Sequence, residues 1–267
     1  MFDHVIIGQY IPGKSFVHAL DPRAKLGAVF VFLIFLFLTR DPFALTLALL
    51  LAVTAFLLAG IPFRFYLKGM RFIALIILFT FLLHLFMTQE GALVFDFGFL
   101  RVYSGGLIEG GLIGYRLFLL ITMASMLTLT TTPVDLTDGM ERLMKPMAKI
   151  NVPTHELALM MSIALRFIPT LLGETSKIVK AQMTRGANFS EGSLWKRLKA
   201  VIPILVPLFI QSFKRAEDLA TAMEARGYAG GEGRTKFRQL RWKNSDTAVM
   251  LLFVLFAVWS VLSRWFI

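Results

Sequence analysis

The chain has 267 residues, 57% of them hydrophobic, with 26 Phe and no Cys. This is a membrane composition, and the missing cysteine excludes disulfides, thiolate metal sites and a cysteine nucleophile. A net charge of +11 would suggest nucleic acid in a soluble protein; here basic residues sorting by membrane side explain it better, so no nucleic-acid partner is expected.

No cleavable signal is expected at the start, because Met1 to Asp21 is mixed polar and apolar with Pro12 and Gly13 in its middle. Five runs can span. The first helix begins at Asp21-Pro22, an N-cap followed by proline at the first helical position. Its apolar run, Leu26 to Leu38, is short, and Lys25 and Arg40 can extend it by snorkelling to the two interfaces. The second repeats the start signal at Asp41-Pro42 and runs to about Ile61; the third lies between Arg71 and Glu90. The fourth runs from about Gly110 to Thr132, and the fifth starts after Ser245-Asp246 and ends near Arg264.

Basic residues set the orientation. With the N-terminus cytoplasmic, the inner segments 1–25, 60–71 and 133–246 carry 3, 3 and 18 Lys and Arg, against Arg40, Arg101 and Arg264 outside. The long segment weighs less in this rule, yet the short inner ones still lead, 6 to 3.

Segment 133–246 is too long for a loop. Pro133-Val-Asp135 opens a first short helix, to about Lys149. Pro153-Thr154 opens a second, reaching Arg185, and Ser193 can cap a third, reaching Arg226. Pro169 falls in one long helix and Pro203 and Pro207 in the other, so kinks are expected. Arg166 and Pro169 interrupt Leu157 to Leu172, and Ala200 to Phe213 is only 14 residues, so both helices are expected at or below the inner surface. Their C-terminal halves are aqueous: Lys177, Lys180 and Arg185, then Lys214, Arg215, Glu217 and Asp218. Residues 230–246 form a basic linker with Gly230, Gly231 and Gly233 followed by Arg234, Lys236 and Arg238, suited to a juxtamembrane tether on anionic lipid.

The two long helices end in near-copies. Ala181-Gln-Met-Thr-Arg185-Gly186 and Ala222-Met-Glu-Ala-Arg226-Gly227 share Ala-x-x-x-Arg-Gly, 41 residues apart. Glycine tolerates the left-handed position after a helix, and a cation suits the negative helix end. Either copy alone reads as a helix stop; two copies make matched basic tips suited to two similar partners.

Catalytic and nucleotide motifs are missing. The Gly-rich stretch 230–235 has neither the spacing nor the lysine of a phosphate loop. His4, His18, His84 and His155 sit in separate segments without a metal-ligand neighbour at helical spacing, so no metal site is expected. The spans hold no acidic residue that would mark a proton relay. Arg116, two turns inside the fourth helix, either snorkels outward or lines a substrate path. Gly106, Gly110 and Gly114 form a ridge of small residues on one face of that helix. The ridge suits packing inside this chain's own bundle or docking of a separate membrane subunit.

The stretches Gly8-Gln-Tyr10-Ile-Pro12-Gly-Lys-Ser15 and His18-Ala-Leu20-Asp21-Pro22-Arg23-Ala-Lys25-Leu26, then Arg166-Phe-Ile-Pro169 and the two Arg-Gly tips, occur in an order that resembles the transmembrane subunits of energy-coupling factor transporters. The resemblance covers nearly the whole chain. It implies an all-α integral membrane protein of about five transmembrane helices plus a cytoplasmic domain of long coupling helices. The implied division is 1–132 for the first four spans, 133–229 for the coupling helices, 230–246 for the linker and 247–267 for the last span.

It further implies a non-catalytic subunit of an ATP-driven importer for vitamins or transition-metal ions in the cell membrane. Such a subunit joins two ABC-type ATPase subunits, which bind ATP and Mg, to a separate substrate-binding membrane protein; this chain would hold no cofactor. Carried over by position, the ATPase-docking motifs are Thr184-Arg185-Gly186 and Ala225-Arg226-Gly227, the first with Thr where the family pattern has Ala. The competing reading is a stand-alone membrane enzyme or scaffold whose basic cytoplasmic segment only binds lipid. Paired membrane acids or histidines would favour the enzyme, and the spans lack them.

Overall fold

The structure is a computed structural model that describes residues 10–97, 100–150, 153–187, 189, 193–228, 230 and 240–266. Gly8 and Gln9 of the opening motif, and the linker residues 231–239, lie outside the described residues. The chain divides into two compact units, one drawing on Met140–Gln239 and the other on Gly8–Gly139 with Leu240–Ile267.

In the second of these units the helices start where local chemistry says they should. After a short turn, α1 (Phe16–Ala19), helix α2 (Pro22–Leu38) has Asp21 as N-cap, its carboxylate accepting the Arg23 N–H, with Pro22 in the first turn. Helix α3 (Pro42–Ala59) repeats the device: Asp41 accepts the N–H groups of Phe43 at 3.1 Å and Ala44 at 3.2 Å. It stops at Gly60, whose φ of 63° is the left-handed position glycine takes without penalty. Helices α4 (Phe63–Met87) and α5 (Ser104–Thr130) follow, and the last span is α9 (Asn244–Phe266).

Between α4 and α5 lies a hairpin that the sequence reading did not anticipate. Strand β1 (Leu93–Phe97) pairs antiparallel with β2 (Leu100–Tyr103), Leu93 opposite Tyr103, with an irregularity between Leu93 and Phe95. Two strands this short give too little alternation to register as a pattern in a chain dominated by apolar runs.

The core is built from α2, α3, α5 and α9. Phe32 stacks on Phe256 with ring centroids 5.7 Å apart and meets Phe253 edge-on at 6.0 Å. Phe32, Leu36 and Leu119 are fully buried, whereas Phe30, Leu57 and Phe79 face outward, as lipid-facing side chains of a bundle do. Helix α4 packs along α5 rather than into this core.

Helix α6 (Pro133–Met144) follows α5 in the chain, with Pro133–Gly139 in the unit just described, and the other unit holds α7 (Thr154–Thr184) and α8 (Leu194–Ala225). Thr132 and Asp135 close a capping pair at the start of α6: the Asp135 N–H donates to the Thr132 hydroxyl, which donates to the Asp135 carboxylate at 2.8 Å. Helices α7 and α8 have 31 and 32 residues and pack against each other. Neither Pro169 nor the pair Pro203 and Pro207 interrupts the helix it sits in.

Four helices among the described residues are long and apolar enough to cross a membrane: Pro42–Ala59, Ser104–Thr130, Thr154–Thr184 and Asn244–Leu262, with Ile73–Met87 as a shorter apolar stretch. This list departs from the sequence reading at three helices, α4 contributing only the shorter stretch Ile73–Met87 where a full span was expected between Arg71 and Glu90. Helix α7 qualifies because it continues through Pro169, so its apolar stretch is not cut short. Helix α2 has only 17 residues, about 25 Å of rise, and packs against α3, α5 and α9. A helix shielded at its ends by other helices need not match the full hydrocarbon thickness.

Candidate functional site

The opening motif builds an anchor at the start of α2. Lys25 was expected to snorkel to the interface; instead it is 6% exposed, because a protein partner is closer than water. Its ammonium donates to the Thr130 carbonyl at 3.1 Å and the Thr131 hydroxyl at 3.2 Å. These are groups at the C-terminal end of α5, where carbonyls lack helical partners and a cation is favoured. The Ile11 N–H takes the neighbouring Leu129 carbonyl at 2.9 Å. His18 holds that N-terminal hook in shape, its ring nitrogens bonded to the Ser15 hydroxyl at 2.6 Å and the Ile11 carbonyl at 3.0 Å.

The same motif fastens α9. Asp246 is fully buried and accepts the Asp21 N–H at 2.9 Å with one oxygen and the Lys243 N–H at 2.7 Å with the other. Arg23 forks onto the Asp21 carboxylate and lies over the Trp242 ring, 5.5 Å from its centroid. Both chain segments that leave the bundle, after Thr131 and before Lys243, are thus tied to residues 21–25.

The glycine ridge faces α4. Gly106, Gly110 and Gly114 are all buried, and a methyl added to them would meet the His84 carbonyl at 2.8 Å, Phe81 and His84 at 3.1 to 3.2 Å, and Ile77 at 3.3 Å. Of the two readings of the ridge, packing inside the chain's own bundle is the one this geometry supports; α4 occupies the face a separate subunit would need. Arg116 does reach outward, but to protein rather than water: its guanidinium donates to the carbonyl of Thr39, the C-cap of α2, and the residue is 9% exposed.

The two Arg-Gly tips close identically. At the end of α7 the Gly186 N–H bonds the Met183 carbonyl at 3.0 Å and the Ala187 N–H bonds Gln182 at 3.0 Å. At the end of α8 the Gly227 N–H bonds Glu224 at 2.8 Å and the Tyr228 N–H bonds Met223 at 3.0 Å. This is the Schellman pattern, and it requires the φ of 86° at Gly186 and 75° at Gly227. Open space surrounds both glycines, so backbone conformation and not crowding demands them. Thr184, Arg185, Ala225 and Arg226 are exposed. Among the described residues, neither arginine side chain forms an intrachain hydrogen bond or ion pair. The Thr184 hydroxyl turns back onto the Ala181 carbonyl at 2.8 Å, which satisfies the polar group that distinguishes it from Ala225.

Sequence reasoning missed the residues that join the two long helices. Arg215 of α8 pairs with Glu174 of α7, and its guanidinium lies 5.7 Å from the centroid of the Phe167 ring. It also missed Asp246 as an anchor, since a buried acid at a helix start looks like an ordinary first-turn carboxylate until its second partner is seen.

Residues 13–237 match the family described as Cobalt transport protein, CbiQ. The energy-coupling factor transporter transmembrane protein EcfT of Bacillus selenitireducens is 66% identical over 257 residues, 96% of each chain. EcfT of Bacillus subtilis is 53% identical over 257 residues, 96% of this chain and 97% of the relative. EcfT of Listeria innocua is 50% identical over 253 residues, 94% of this chain and 95% of the relative. A match over most of the length, with relatives this similar end to end, means that the chain belongs to the family of energy-coupling factor transporter transmembrane proteins.

Proposed function

We propose that the chain is the coupling subunit of an ATP-driven importer for a vitamin or transition-metal ion. It would join two ABC-type ATPase subunits to a separate substrate-binding membrane subunit. The observation that carries this reading is the pair of exposed tips with the same helix closure, on two helices packed together. Two equal tips fit two equal grooves. Each presents an arginine fork free to bond acidic side chains or carbonyls of a partner.

ATP and Mg belong to the ATPases in this reading. The bundle is held in the membrane with the N-terminus and the coupling unit on the cytoplasmic side, as the asymmetry of basic residues supports. The anchor at residues 21–25 then carries displacement of the coupling unit into the bundle, because both connecting segments end on it. Val201, Ile202, Leu205, Phe209 and Phe213 of α8 are apolar and exposed, which supports an apolar partner on that helix, either the substrate-binding subunit or lipid.

Purification in mild detergent from native membranes tests the proposal. Two ATPase subunits and a small membrane protein should co-purify, and mass spectrometry should identify them. Recovery of the chain alone, with no loss of function in its absence from the importer, would leave the lipid-binding scaffold as the better reading.

A further inference from the structure

The bundle encloses an apolar cavity of about 100 Å³ lined by α1, α2, α3, α5 and α9. Ala28 of α2 and Ala55 of α3 stand on its wall, and side chains this short leave the space between the helices unfilled. Its floor is Leu51, Met123, Met126 and Phe253, all buried. Its rim is Phe16 of α1, Leu58 of α3 and Leu252 of α9, all exposed. The cavity is therefore open to the surroundings of the bundle on the side of α1, α3 and α9.

Depth decides what those surroundings are. Helices α3 and α9 are both long and apolar enough to cross a membrane. Leu58 and Leu51 stand about 2 and 12 Å along the axis from the end of α3 at Ala59. Val249 and Phe253 stand about 8 and 14 Å from the start of α9 at Asn244. The opening thus lies within one half of a hydrocarbon layer about 30 Å thick, where acyl chains and not water meet it.

The lining selects the same occupant. Its polar side chains are already bonded within the chain: the Lys25 ammonium to the Thr130 carbonyl and the Thr131 hydroxyl, the Thr54 hydroxyl to the Leu50 carbonyl at 2.7 Å, and the Thr130 hydroxyl to the Met126 carbonyl at 2.7 Å. Among the described residues, no polar side-chain atom of the lining is buried without a partner. An apolar cavity of about 150 Å³ stays dry and accepts benzene, so this one suits a few methylene groups. The surface at that end of the bundle is basic. Lys14, two residues before Phe16, is exposed, as are Arg241 and Lys243 just before α9. Asp21 and Asp246, the acids beside them, are buried and bonded.

We propose that this cavity is a lipid site, in which one acyl chain of an anionic phospholipid inserts between α1, α3 and α9 with its phosphate beside Lys14. The chain fills the space that Ala28 and Ala55 leave, and the exposed cations favour an anionic headgroup over a zwitterionic one. Phe16 and Val17 of the N-terminal hook then pack on lipid as well as on protein.

The test uses the complete complex, purified in mild detergent from native membranes and reconstituted in nanodiscs. The probes are phosphatidylglycerol and phosphatidylcholine, each with a diazirine in mid-chain, and peptide mass spectrometry reads the adducts after photolysis. Phosphatidylglycerol should label Met123, Met126 and Phe253, which are at most 8% exposed and out of reach of lipid that merely surrounds the bundle. Ala55→Leu, which fills the cavity from α3, should abolish those adducts and keep the ones on outward-facing Phe30 and Leu57. Ala28→Val, a smaller insertion from α2, takes its place should Ala55→Leu not elute as an assembled complex. Lys14→Gln should lower the phosphatidylglycerol yield at the three buried residues by roughly fivefold, the scale of one lysine near an anionic surface, and leave the phosphatidylcholine yield unchanged.

Adducts confined to outward-facing residues in the wild-type complex would overturn the site, whatever the variants do. So would buried adducts undiminished in an assembled cavity-filling variant. Equal yields from the two lipids at the buried residues, or no effect of Lys14→Gln, would overturn the assignment to an anionic lipid.

Discussion

The glycine ridge on α5 yields a graded prediction with its own control. An alanine methyl at Gly106 would stand 2.8 Å from the His84 carbonyl oxygen and 3.1 Å from that of Leu85. Those are backbone atoms, so α4 as a whole must move. At Gly110 the nearest atoms are Phe81 and His84 at 3.1 to 3.2 Å, and at Gly114 a single Ile77 methyl at 3.3 Å, which a rotamer change can clear. At Gly111, on the same helix, nothing lies within 4 Å. Alanine is favoured over glycine in a helix by about 0.8–1.0 kcal/mol, and overpacking costs about 1–3 kcal/mol. Gly106→Ala should therefore lose about 1–2 kcal/mol net, Gly110→Ala somewhat less and Gly114→Ala about nothing, while Gly111→Ala gains up to about 1 kcal/mol. Thermal unfolding of the detergent-solubilised variants measures the order. Equal losses at Gly106 and Gly111, or a larger loss at Gly114 than at Gly106, would refute the packing of α4 on this ridge.

Further outcomes follow from the anchor and the topology. Lys25→Met should destabilise the bundle by about 2 kcal/mol, because the buried Thr130 carbonyl loses its charged donor; unfolding midpoints would show it, and an unchanged midpoint would contradict the anchor. Asp246→Asn should cost about 1–2 kcal/mol on the same assay, since one of two N–H donors would then face an amide NH₂ instead of an oxygen. Ser193→Cys should react with a membrane-impermeant maleimide only after the cells are opened; labelling of intact cells would reverse the proposed orientation.

What was legible in the sequence was what local chemistry decides. Asp21-Pro22 and Asp41-Pro42 mark helix starts because cap and proline act within four residues. Gly186 and Gly227 mark helix stops because the Schellman closure is equally local. Partners across the fold were not legible. Spacing shows that Gly106, Gly110 and Gly114 share a face, but not that α4 lies against it. Lys25 at the edge of an apolar run reads as a snorkelling cation until the end of α5 is seen to offer carbonyls beside it. The Glu174–Arg215 pair left one trace, opposite charges at equivalent positions of the repeat, which becomes informative only once α7 and α8 are known to pack together.

The double variant Arg185→Ala, Arg226→Ala tests the central claim most directly. Truncating an arginine anchor at an interface typically costs about 2 kcal/mol or more, roughly a thirtyfold loss of affinity per tip. With two tips on a joined pair of ATPases, the loss of one is partly masked by avidity of the other. Either single variant should therefore keep much of its uptake, and the double variant should lose both the ATPases on pull-down and the uptake, with membrane insertion unchanged. Lysine at both positions should rescue poorly, because it keeps the charge without the fork. Wild-type ATPase binding and uptake in the double alanine variant would contradict the account and leave the two Arg-Gly tips as helix stops alone.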